Sequence, residues 1–179
     1  MAILLHILIT LKILSLAVIA TQDFLDRAFS IWPLVGIVAI ELSVSILNKH
    51  LPIPVSSMMI NLFILLSMLT GAYLFILIRN KFNFSFLKGI FGLGDLLILL
   101  VIAYAFETPN FIAFYLLVAL LSLVLHPLFK NFRSYVQYES IPLAGNICGA
   151  YIVILILSIF EPSINPTNQL WFYKLVMHE

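Results

Sequence analysis

The chain has 179 residues, of which 63% are hydrophobic and only 9% charged, and its mean hydropathy is +1.16. Soluble domains carry roughly a quarter charged residues, so this composition excludes an ordinary water-soluble domain and points to an all-α integral membrane protein. The formal charge of +1 implies no nucleic-acid partner, and a single cysteine, Cys148, excludes an internal disulfide and a four-cysteine zinc site.

Apolar runs of about 18–22 residues are long enough to cross a bilayer as helices. Six are expected, at roughly Ile3–Ala20, Ile31–Leu47, Met58–Ile78, Leu93–Phe106, Phe111–Leu128 and Ile141–Phe160. The fourth is short and begins within the Gly92–Asp95 turn. Polar connectors fall near residues 21–30, 48–57, 79–91, 107–110 and 129–140, with a tail at 161–179. Residues 1–179 therefore read as a single six-helix domain without an internal repeat. A secretory signal ending after Val18-Ile19-Ala20 is a competing reading of the first run. No Lys or Arg precedes it, however, and Lys12 interrupts the apolar stretch.

Orientation follows from the nine Lys and Arg residues. Connectors one, three and five hold Arg27, Arg79, Lys81, Lys88, Lys130 and Arg133, whereas the second and fourth connectors and the tail hold only Lys49 and Lys174. The positive-inside bias puts the odd connectors in the cytoplasm and both termini on the non-cytoplasmic side. Trp171-Phe172-Tyr173 in the tail is expected at the membrane interface.

Two ionisable residues stand deep within apolar runs. Lys12 lies about ten residues from the cytoplasmic end of the first span and Glu41 about ten from that of the second, at about 1.5 Å rise per residue. Consecutive antiparallel spans bring them to one depth, so a structural ion pair is expected, with a proton relay as the functional alternative. His6 reads as interfacial, His126 before Pro127 as a helix end, and His50 and His178 as loop residues. None points to a metal or a cofactor.

The fourth run opens with Phe91-Gly92-Leu93-Gly94-Asp95. A carboxylate at the mouth of a membrane-length segment costs on the order of 2.5–3.5 kcal/mol when carried inward, which makes it a candidate functional group. The alternative is a helix cap, a position that Asp favours. With only seven glycines in the chain, this Gly-x-Gly-Asp string is expected by chance far less than once. A second carboxylate, Asp23, falls where the first span enters the cytoplasm. The Lys and Arg distribution alone thus puts Asp23 and Asp95 at the same face and similar depth. Asp26 is a rival, one loop turn further out.

Gly92-Leu93-Gly94-Asp95 resembles the signature of the GxGD membrane aspartyl proteases, and in particular of type IV prepilin peptidases. Gln22-Asp23-Phe24-Leu25-Asp26-Arg27 is similar to their first-aspartate region, with Asp23 on the catalytic position and Arg27 on a basic one. Ser140-Ile141-Pro142-Leu143-Ala144 looks like the entry to their last helix. The chain departs from the pattern at Leu25, Ala28 and Ser30-Ile31, at Leu97 where a lysine is usual, and at Gly145 where a proline follows. The resemblance implies a membrane-embedded endopeptidase with Asp23 and Asp95 as catalytic residues, acting without a metal or other cofactor. Its partners would be the lipid bilayer and a membrane-inserted, pilin-like precursor, cut where a short leader meets a hydrophobic helix. The setting implied is a bacterial inner membrane, with the site facing the cytoplasm. Larger members carry a methyltransferase region with Cys-x-x-Cys pairs, and the single cysteine here matches the compact form.

Two carboxylates held together share a proton. The ionised one activates a water for attack on the scissile carbonyl while the protonated one donates to the carbonyl oxygen. Gly92 and Gly94, lacking Cβ atoms, would let an extended substrate backbone approach Asp95. Two other functions compete: a non-catalytic scaffold that keeps the fold, motivated by Leu97, and a proton-coupled carrier built on Lys12, Glu41 and Asp95. The missing inverted repeat weighs against the carrier.

Overall fold

The computed structural model describes residues 2–48, 53–79, 92–129, 142–161, 164, 166 and 167. Among them are six helices and no strand: α1 (Ala2–Asp26), α2 (Ile31–Asn48), α3 (Val55–Arg79), α4 (Leu93–Ala105), α5 (Thr108–Phe129) and α6 (Leu143–Phe160). Lys49, His50, Lys81, Lys88, Phe91, Lys130, Arg133, Ser140, Ile141, Trp171-Phe172-Tyr173, Lys174 and His178 lie outside the described residues.

The helices are apolar nearly all round, because they meet a core on one side and present hydrophobic side chains outward on the other. Leu11, Leu14 and Val18 of α1, Trp32 and Val35 of α2, and Met59, Phe63 and Leu66 of α3 are all exposed. A surface of that kind suits lipid and not water. Four segments are long and apolar enough to cross a membrane: Leu4–Asp26, Val55–Arg79, Thr108–Leu125 and Leu143–Phe160. The other two apolar stretches are shorter, at Ile31–Leu47 and Leu93–Ala105. At about 1.5 Å per residue, α4 rises roughly 20 Å, short of the ~30 Å hydrocarbon thickness.

The helix limits follow local chemistry. Pro33 and Pro109 sit in the first turns of α2 and α5, where a missing N–H breaks no helical bond. α4 stops where Phe106 turns extended (φ −118°, ψ 138°), and α5 restarts after Glu107, with the Phe111 N–H on the Glu107 carbonyl at 2.8 Å. Two boundaries differ from the sequence reading. α1 runs on through Thr21–Asp26, so Asp23 lies in a helix rather than a connector. α5 continues past His126-Pro127 to Phe129.

α6 and α4 form the centre. α6 makes its most extensive contact with α1 and also packs on α4 and α5, while α2 lies against α1 and α3 against α4 and α5. Leu16, Ile19 and Ala20 of α1, Ile98, Leu99 and Ile102 of α4 and Ile147, Cys148 and Tyr151 of α6 fill the core, with the Phe106 ring tilted and the Phe114 ring edge-on to Tyr151, their centres 5.1 and 6.3 Å away.

Polar ties fix the helices at three levels. At one end, the wholly buried Asn61 of α3 donates to the carbonyls of Ala103 (3.0 Å) and Phe106 (2.7 Å), satisfying the open C-terminus of α4. Beside it Ser57 donates to Glu107 at 2.8 Å. Midway, Lys12 of α1 pairs with Glu41 of α2, as their matched depth leads one to expect, and Tyr151 of α6 joins them by accepting from the Lys12 ammonium. At the opposite end meet the C-terminus of α1 and the N-termini of α4 and α6.

Candidate active site

That last meeting brings the two sequence-selected aspartates together. Along α1, Lys12, Leu16, Ile19 and Asp23 recur at helical spacing on the buried face, so Asp23 points into the bundle with only 6% of its surface exposed. Its Oδ2 accepts the Gly145 N–H at 2.6 Å. Asp95, the third residue of α4, is half-buried and uses both oxygens: Oδ2 accepts the Gly92 N–H of its own helix entry at 3.2 Å, and Oδ1 accepts the Ala144 N–H at 2.9 Å.

Ala144 and Gly145 are consecutive residues in the first turn of α6, whose N–H groups have no intrahelical acceptor and carry the positive end of the helix dipole. Two carboxylates from separate helices therefore satisfy two adjacent orphan donors. Standard backbone dimensions then hold Asp23 Oδ2 and Asp95 Oδ1 within about 9 Å of each other. Arg27 is near enough for its charge to act on both. It ends α1 with φ at 54°, the left-handed conformation that side chains other than Gly adopt at a cost of about 1–2 kcal/mol. Asp26, the rival to Asp23, is exposed.

The glycines have partners within the chain. An added Cβ at Gly94 would lie 2.5 Å from Phe29 Cε1, so the ring of the α1–α2 connector packs directly on the start of α4. A Cβ at Gly92 would come 3.3 Å from Asp95 Oδ2. In this structure the space beside each is occupied by the protein's own side chains. Leu97, where a lysine was the expectation from resemblance, is partly buried. It lines a cavity of about 310 Å³ between α2 and α4, together with Leu34, Val38, Glu41, Leu100 and Tyr104. The Lys12–Glu41–Tyr151 cluster is a separate feature, about 16 Å from Asp23 along α1 at helical rise.

The sequence reading did not single out Ala144, Gly145, Phe29 or Tyr151 for these roles. Ala144 and Gly145 act through backbone N–H groups, which carry no side-chain signature. Their only signal was the Ile-Pro-Leu-Ala string, which ends on Ala144 and directly precedes Gly145. Among the described residues, no three His, Cys, Asp or Glu side chains are grouped to hold a metal ion. What the arrangement offers chemically is two adjacent carboxylates on backbone donors at one end of an apolar bundle, with a guanidinium at hand. No family model, curated protein or solved structure matches the chain.

Proposed function

We propose that the chain is a membrane-embedded aspartyl endopeptidase of the prepilin-peptidase type, with Asp23 and Asp95 as its catalytic residues. Six spans leave both termini on the non-cytoplasmic side of a bacterial plasma membrane, and the carboxylates face the cytoplasm. The substrate is a membrane-inserted, pilin-like precursor, cut between its leader and its apolar helix. One carboxylate, ionised, takes a proton from a water that attacks the scissile carbonyl. The other, protonated, donates to the carbonyl oxygen, and the roles reverse as the amine departs.

The observation that carries this reading is the meeting of Asp23 and Asp95, 72 positions apart in the chain, on the consecutive N–H groups of Gly145 and Ala144. The apolar cavity beside α4 supports it, since its lining on that helix begins at Leu97, two residues after Asp95, where a hydrophobic segment could lie. A second reading, a non-catalytic scaffold, is favoured by one feature: both Asp95 oxygens accept backbone N–H groups, as a purely structural cap would.

The test is co-expression of the wild type, Asp23→Asn and Asp95→Asn with precursors that carry a short leader before an apolar helix, read as a gel shift. Cleavage by the wild type and none by either inserted variant is expected. Cleavage by both variants would refute Asp23 and Asp95 as the catalytic pair, and cleavage by no form with any precursor from the same genome would move the scaffold reading ahead.

A further inference from the structure

Building on the peptidase reading, we propose that Gly145 is a positioning residue for the dyad: its N–H anchors the Asp23 carboxylate, and its missing Cβ leaves the space in which that carboxylate rests. Three groups converge there. Asp23 Oδ2 lies 2.6 Å from the Gly145 nitrogen. An added Cβ would stand 3.2 Å from the same oxygen and 3.0 and 3.1 Å from Cε2 and Cδ2 of Phe24, all tighter than ordinary contact. Phe24 is partly buried and packs against the core. A side chain at 145 therefore drives the Asp23 carboxylate aside, while Asp95 stays anchored one residue away on Ala144. The first turn of α6 thus sets the spacing between the two acids. A proline at 145, the residue implied by resemblance, would lack the donor altogether, so this chain holds its first aspartate by a contact that proline cannot make.

Gly149, about one turn further along α6, supplies the control. An added Cβ there meets nothing within 4 Å. Gly145→Ala and Gly149→Ala make the same chemical change on the same helix, and both favour helix formation, but only one crowds the dyad.

The experiment compares full-length wild type, Gly145→Ala and Gly149→Ala in detergent or liposomes by two readouts. The first is kcat and KM for precursor cleavage. The second is the infrared carboxylate band of Asp23, assigned by difference from Asp23→Asn. Since a misplacement of about 1 Å in reacting groups costs on the order of a hundredfold, Gly145→Ala should lose about ten- to a hundredfold in kcat with KM little changed, and its Asp23 band should shift. Gly149→Ala should match the wild type in both. Wild-type kcat and an unmoved band in inserted Gly145→Ala would overturn the proposal, as would equal losses in both variants. If Gly145→Ala fails to insert, Phe24→Leu/Gly145→Ala compared with Phe24→Leu relieves the ring overlap and leaves Cβ against Oδ2. A retained kcat loss there supports the assignment and none overturns it. If the wild type cleaves nothing, the peptidase reading fails, and the infrared band still decides whether Gly145 holds Asp23.

Discussion

Replacing Lys12 by methionine strips Glu41 of its cation in the middle of the bundle, and the local geometry sets the size of the effect. Lys12, Glu41 and Tyr151 are 7%, 6% and 1% exposed, so each has little contact with the surface from which a lost partner could be replaced. Removing one member of a buried pair costs about 3–5 kcal/mol, because the survivor keeps its desolvation penalty without compensation. After Lys12→Met, Glu41 retains only a 3.4 Å contact with the Tyr151 hydroxyl. After Glu41→Leu, the Lys12 ammonium keeps the Tyr151 oxygen and lies 4.6 Å from the centre of its ring, a cation–π contact worth about 0.5–2 kcal/mol. Lys12→Met should therefore be the more damaging, by about 1 kcal/mol. The double variant, with matched apolar groups, should return to within about 1 kcal/mol of the wild type. Unfolding in mixed micelles with increasing SDS, followed by circular dichroism, measures all four members of the cycle. Singles within about 0.5 kcal/mol of wild type, or a double that merely adds the two losses, would refute a buried, mutually compensating pair.

Gly94→Ala should lower the melting temperature, by an overpacking cost of about 1–3 kcal/mol, because its Cβ would overlap Phe29. Adding Phe29→Ala should restore part of the loss, and no recovery in the double variant would contradict direct packing. Asn61→Leu should cost about 2–4 kcal/mol in the same unfolding assay, since the carbonyls of Ala103 and Phe106 lose their buried donor. The effect is reduced because Asn61 Oδ1 is itself buried without a hydrogen bond. Cys148 is wholly buried, so a membrane-permeant maleimide should label it only after unfolding; rapid labelling of the folded protein would place it elsewhere.

Much of the architecture was legible because hydrophobic length and charge are properties of the chain itself. Each of the six expected apolar runs overlaps one of the six helices, and Lys12 and Glu41, matched in depth by counting residues, do form a pair. Helix limits were less legible. Thr21, Gln22 and Asp23 look like a polar connector, yet they continue α1, since Asp23 finds its acceptor role inside the bundle. Tyr151 gave no warning of joining the Lys12–Glu41 pair. In helices apolar on every side, periodicity does not tell a core face from a lipid face.

The sequence alone therefore determined that the chain is helical and built for an apolar medium, that two buried charges must find each other, and that Asp95 opens a hydrophobic helix behind two glycines. Only the tertiary structure decided which face of α1 turns inward, that Asp23 rather than Asp26 is the buried acid, and that Asp23 and Asp95 share the first turn of α6. The reason is physical: the groups that hold them are the backbone N–H donors of Ala144 and Gly145. Every residue except proline carries such a donor, and it becomes a binding feature only when a helix begins there and other helices deliver acceptors to it.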